Sequence, residues 1–156
     1  MGNKTDLLQI DIDTTLQDFA GFGFILQQGV GVPFEPGCSV TVFLQDRLGI
    51  DPDYIDARIK TAFLDKKPVD DYDSAIVRDQ ATLALSAAMP GLVGATFRSG
   101  GILSVFRSGI SFRNTGEPAE SRTQGKMTLK LFNLLVKEMG PGILEKGVLI
   151  DTGTLK

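Results

Sequence analysis

Apolar residues recur along this chain with two different periods. In LLQIDID, residues 7–13, Leu8, Ile10 and Ile12 alternate with Gln9, Asp11 and Asp13, which predicts a half-buried strand. FGFILQQGVGVPF continues the period of two. Phe22, Phe24 and Leu26 share one face, and Val30, Val32 and Phe34 follow a Gln-Gly break. The pattern predicts a β-hairpin that turns near residues 27–31.

SVTVFLQDRLGI changes the period. Val40, Phe43, Leu44 and Leu48 fall on one helical face, with Ser39 as N-cap and Gly49 as the closing glycine. Asp51-Pro52 opens a turn or short helix. Residues 59–71 read as strand, tight turn and strand, with Asp65-Lys66-Lys67-Pro68 in the turn. YDSAIV predicts a short helical turn, and ATLALSAAM a buried strand ended by Pro90-Gly91. FRSG occurs twice, ending at Gly100 and at Gly109, and FRN follows at 112–114. These echoes fit short strands joined by glycine turns, with 102–106 continuing as a strand. Residues 114–125 lack large apolar side chains and predict a loop. In MTLKLFNLLVKEMG, Leu129, Phe132, Leu135, Val136 and Met139 predict an amphipathic helix stopped by Gly140-Pro141. A last helical turn and a short strand follow.

Composition narrows the chemistry more than the fold. The 156 residues suit one domain with its own core. There is no histidine, which removes Ser-His-Asp and Cys-His catalysis and histidine metal sites. Cys38 is the one cysteine, so the usual structural zinc sites and an internal disulfide are also excluded. No apolar run approaches the length that crosses a bilayer. The start MGNKTDLLQIDID has acids where a signal peptide needs apolar residues, and it lacks the myristoylation pattern. A cytoplasmic location and no membrane partner are the expectation.

Net charge is −3, but it is unevenly spread. Residues 1–37 hold five acids and one base, whereas residues 97–138 hold seven bases and three acids. The basic stretch is too sparse for a nucleic-acid footprint.

Three stretches carry a resemblance. GCSVTVFLQDRLGI gives a small turn residue before a helix. TAFLDKKPVDD gives strand, turn and strand. IVRDQATLALSAAMPG gives a charged turn and a last strand. In this order, over about residues 22–94, the chain resembles the ubiquitin-like β-grasp fold, and within it the small sulfur carriers of thiamine and molybdopterin synthesis. The resemblance implies an α+β fold: a β-grasp core over about residues 22–95, an N-terminal strand, and a C-terminal β/α extension over about residues 96–156, all in one domain. Two departures stand out. The family pattern has glycine after the charged residue of the final turn, where this chain has Gln80 after Asp79. The carriers end at Gly-Gly and need that free carboxylate for adenylation. Here Gly100-Gly101 lies later than that register and 55 residues follow it.

Four sets of residues are candidates for function. Gly100 and Gly101 would serve as a carrier tail only after cleavage at Gly101; the simpler reading is a turn that needs positive φ. Cys38 precedes a predicted helix start, where a thiol pKa falls, yet no histidine can act as its base. The simpler reading is a small residue in a turn. Asp51, Asp53 and Asp56, with Asp70, Asp71 and Asp73, form two clusters that could bind a cation or do acid/base work. Capping and solvated turns explain them more simply. Arg98, Arg107 and Arg113 each follow a phenylalanine, and on strands they would share one face. The expected function is a non-catalytic protein-interaction module with no cofactor, whose candidate contacts are those three arginines. An exposed edge strand would favour strand addition or a homodimer. The alternatives are a sulfur carrier released at Gly101, and a small enzyme or metal-binding protein using the Asp clusters or Cys38.

Overall fold

Of the chain, the computed structural model describes residues 19–88, 95–107, 109–115, 123–151 and 153. The predicted strand over 7–13 and the strand end at Pro90-Gly91 lie outside the described residues. The architecture is α+β, with a five-stranded mixed sheet in the order β1-β5-β4-β2-β3. Its strands are β1 (Val30–Phe34), β2 (Thr61–Leu64), β3 (Lys67–Pro68), β4 (Thr82–Ser86) and β5 (Gly125–Phe132). The central pair β4 and β5 is parallel, from Thr82 opposite Thr128 to Ser86 opposite Phe132. β1 pairs antiparallel with β5, and β2 pairs antiparallel with both β4 and β3.

Two expectations change here. Helix α1 (Phe19–Gln28) replaces the first strand of the predicted hairpin. Its core contacts are Ile25 and Leu26, and Gly23 lets it approach Val136. Phe22, Ile25 and Leu26 also stand at i, i+3 and i+4, so the segment satisfies a helical period as well as a strand one. β1 pairs instead with a strand from the other end of the chain, β5.

That partner is the second correction. The helix predicted over 127–139 begins only at α4 (Leu134–Glu145), and residues 127–132 belong to β5. Met127, Leu129 and Leu131 are fully buried, alternating with Thr128 and Lys130. Asn133, at φ 56°, turns the chain from strand into helix, and its Nδ2 donates to Ser86 Oγ at 2.9 Å. The helix also runs through Gly140-Pro141 rather than stopping there. Burial of Met139, Gly140 and Ile143 holds that turn despite the hydrogen bond that proline removes.

The C-terminal segment is therefore not an appendage to a finished core. β5 lies between β1 and β4, and Met127, Leu129, Leu131, Leu135 and Ile143 belong to the same apolar cluster as Leu44, Leu64 and Leu83.

The other elements follow local chemistry. Ser39 caps α2 (Val40–Val42), accepting from Val42 N at 3.2 Å, and the helix continues as a wider turn over Phe43–Arg47. Gly49, at φ 67°, ends it. Asp51 caps α3 (Pro52–Arg58), accepting from Asp53 N at 2.8 Å. Asp65 and Lys66 form the two-residue turn between β2 and β3, both with positive φ. α3 is tied to α4 by Glu138, which accepts from Tyr54 Oη at 2.6 Å and pairs with Arg58. The Arg58 hydrogen bond, then that of Tyr54, holds the Glu138 carboxyl below its ordinary pKa.

Candidate functional site

The FRSG echoes do not form strands. A short helical turn over 95–97 leads to a turn at Ser99-Gly100, and then to a 3-10 helix at Ile102–Arg107. Gly100 has φ 63°, and Gly101 N donates to Arg98 O at 3.1 Å. A side chain at Gly101 would press on Arg98 O at 3.2 Å. The glycine pair is thus a turn, and the chain leaves it as a helix because Ser104 N bonds Gly101 O at 2.9 Å.

Arg107 holds this segment in place. The expected arginine face does not form: Arg98 and Arg113 are exposed, but Arg107 is only 4% exposed. On a helical turn the strand alternation that would align the three is lost. The Arg107 guanidinium donates from Nε to Thr96 O at 2.6 Å and from Nη2 to Arg98 O at 3.2 Å. It donates to both Asp70 oxygens, at 2.6 and 3.3 Å, and to Ser111 Oγ at 3.0 Å. One side chain thereby ties together the turns before and after it and the loop after β3. Buried arginine is tolerable only when its donors are met in this way. Ser99 adds a second anchor. Its N donates to Lys60 O at 2.9 Å and its Oγ to Val69 O at 2.7 Å, so Tyr72 Oη is the donor in the 3.0 Å bond to Ser99 Oγ. Burial pushes the Tyr72 phenol above its ordinary pKa.

Between this segment and α3 lies a cleft of about 1050 Å³. Ile55, Asp56, Ile59 and Lys60 line one side, Ala95, Arg98 and Gly100 to Leu103 the other, and Asp70, Asp71, Tyr72 and Asp73 also line it. Large exposed apolar side chains stand on and after the 3-10 helix: Ile102, which also lines the cleft, is 92% exposed, Val105 74% and Ile110 57%.

The two sheet edges are the opposite case. On β1, Gly31 N donates to Leu149 O at 2.7 Å and Leu149 N donates back to Gly31 O at 2.8 Å. Pro33 has no N–H, and its carbonyl accepts from Arg47 Nε. On β3, Pro68 again lacks a donor, and its carbonyl accepts from Phe112 N at 2.7 Å. The exposed edge strand expected as a docking route is not available at either side.

Of the remaining candidates, Asp56 meets Asp70, Asp71 and Asp73 at the cleft, and Cys38 is not among the cleft's lining residues. Cys38 is half-buried, and burial, with Glu35 and Asp46 nearby, pushes its thiol up, the reverse of what an activated thiolate needs. Among the acids, Asp51 is a cap, Asp70 pairs with Arg107, and Asp71 accepts from Asp73 N at 2.9 Å. Among the described residues, no group of three or more acids and cysteine is arranged to hold a metal ion. Among the described residues, too, no helix is long and apolar enough to cross a membrane. Sequence reasoning missed Tyr72, Ser99 and the exposed Ile102, Val105 and Ile110. The spacing of those three gave the signal, since 102, 105 and 110 do not fit one strand face.

Comparison with known protein families, with curated proteins and with solved structures finds no match to this chain.

Proposed function

We propose that this protein is a non-catalytic protein-interaction module on a β-grasp-like sheet, and that it binds through side chains of the 102–110 segment and the adjoining cleft. The observation that carries the reading is the pairing of a fully bonded, buried Arg107 with uncovered Ile102, Val105 and Ile110 on the segment it fixes. Several large apolar side chains held outward on a pinned segment mark an interaction surface.

The β-grasp part of the reading rests on strand order. A β-grasp sheet has a central parallel pair flanked on each side by antiparallel strands, and β1-β5-β4-β2-β3 has that arrangement. Here β5, late in the chain, would stand where the family has its first strand. Gln80 supports the likeness further: its φ of 62° is the conformation for which the family pattern supplies glycine. The carrier alternative asks the chain to part at Gly101. That would put β5, the strand between β1 and β4, on a separate fragment.

The test is the triple variant I102S/V105S/I110S, compared with the native protein for partners recovered from the cells that make it. These side chains are solvent-facing, so each substitution should move stability by no more than about 0.5 kcal/mol. Loss of a partner at unchanged stability supports the reading. Retention of every partner overturns it.

A further inference from the structure

Resting on that reading, we propose that the cleft takes an amphipathic helix of a partner protein, with apolar anchors and basic flanks. Its form follows from the edges. Strand addition needs a row of free N–H and C=O groups, and β1 and β3 offer none at Gly31, Pro33 or Pro68. The occupant must bind by side chains, and a groove between α3 and a 3-10 helix suits a helix laid into it. The apolar anchors follow from Ile55 and Ile59 within the cleft and from Ile102 and Leu103 on its opposite wall.

The basic flanks follow from charge. Among the described residues, four carboxylates line the cleft, Asp56, Asp70, Asp71 and Asp73, against two cations, Lys60 and Arg98. Asp70 is neutralised by Arg107 from behind, and the Lys60 ammonium folds back onto Asp56 O. Asp56, Asp71 and Asp73 are exposed at the rim, where complementary charge selects partners and speeds encounter. A second copy of this chain is the poorer occupant, because a two-fold contact would set these acids against themselves.

The probe is a labelled amphipathic Leu/Lys helix, with a Leu/Glu twin of the same pattern, followed by fluorescence anisotropy and by amide chemical shifts. The Leu/Lys peptide should shift amides at 55–60, 71–73 and 98–105, and the Leu/Glu peptide should not. D56N/D73N should weaken binding about fivefold, whereas the charge-matched control E35Q/E145Q, outside the cleft, should change it by less than about twofold. I102S/V105S should abolish binding. Equal binding of both peptides, or equal effects of the two charge variants, overturns the inference and leaves the interaction reading standing. If neither peptide shifts the cleft amides, the inference also falls; the triple serine variant in cells then decides the interaction reading without these peptides.

Discussion

The sheet edges and the outer face of the 102–110 segment meet solvent in opposite ways. Backbone at the edges is satisfied group by group: proline removes one donor on each side, and Leu149, Arg47 and Phe112 cover the remaining groups named above. On the segment the backbone is equally well held, through Arg107 and Ser99, yet the large side chains face outward. An open edge recruits any extended chain, while an apolar face on a fixed turn recruits one shape. On the proposed reading, the contrast closes the backbone of the two edges to pairing and leaves the apolar side chains of one segment for contact.

The contrast can be broken at either end. Ending the chain after Gly101 has the largest expected effect, because it removes β5 and with it both the sheet centre and the pinned segment. The fragment should show collapsed amide dispersion and no cooperative thermal transition; a folded fragment would restore the carrier alternative. Arg107→Met comes next. It removes the hydrogen bonds that Arg107 gives to Thr96 O, Arg98 O and the partly exposed Asp70, at a cost of about 2–3 kcal/mol. Hydrogen exchange should accelerate at 99–111 while Leu83, Leu85 and Leu129 stay protected. Uniform loss across the core would mean that Arg107 supports the whole fold rather than the segment.

Leu149→Pro acts on the other term. It removes the N–H that reaches Gly31 O, should cost about 1–2 kcal/mol, and exposes part of the β1 edge. Sedimentation should then show stronger concentration-dependent self-association than that of the native protein. The smallest effect is a gain. Gln80→Gly relieves a left-handed residue in the turn before β4 and should raise stability by up to about 1 kcal/mol in denaturant titration, with both edges unaltered.

Local signals were legible where one residue decides the geometry. Ser39, Gly49 and Asp51-Pro52 read as caps and stops because hydrogen bonds at helix ends are short-range. Strand β4 read as a strand from its local alternation, and β2 from the apolar run Ala62, Phe63 and Leu64 ahead of a turn. Misreadings arose where two periods overlap. Residues 22–26 fit both a strand and a helix, and residues 127–139 contain a true alternation, Met127, Leu129, Leu131, that runs directly into a helix. Tertiary partners chose between them: α1 packs against α4 and β5, and β5 is claimed on both sides by β1 and β4.

The candidate site was legible only in part. FRSG occurs twice with the same four residues, but the first Arg is exposed and the second is buried on Asp70. Nothing within the tetrapeptide distinguishes them, since the difference lies in Asp70, Thr96 and Ser111. The glycine pair needed its positive φ at Gly100, as expected of a turn. Its role in shaping a cleft depends on Ser99 reaching Lys60 and Val69, contacts set by the sheet and not by the segment.

The most direct test of the account places a photo-crosslinking residue at Val105 in one variant and at Lys67, on edge strand β3, in another, with both expressed in the cells that make the protein. The account predicts a discrete adduct with one partner from Val105 and none from Lys67. Adducts from Lys67 with none from Val105 would contradict it.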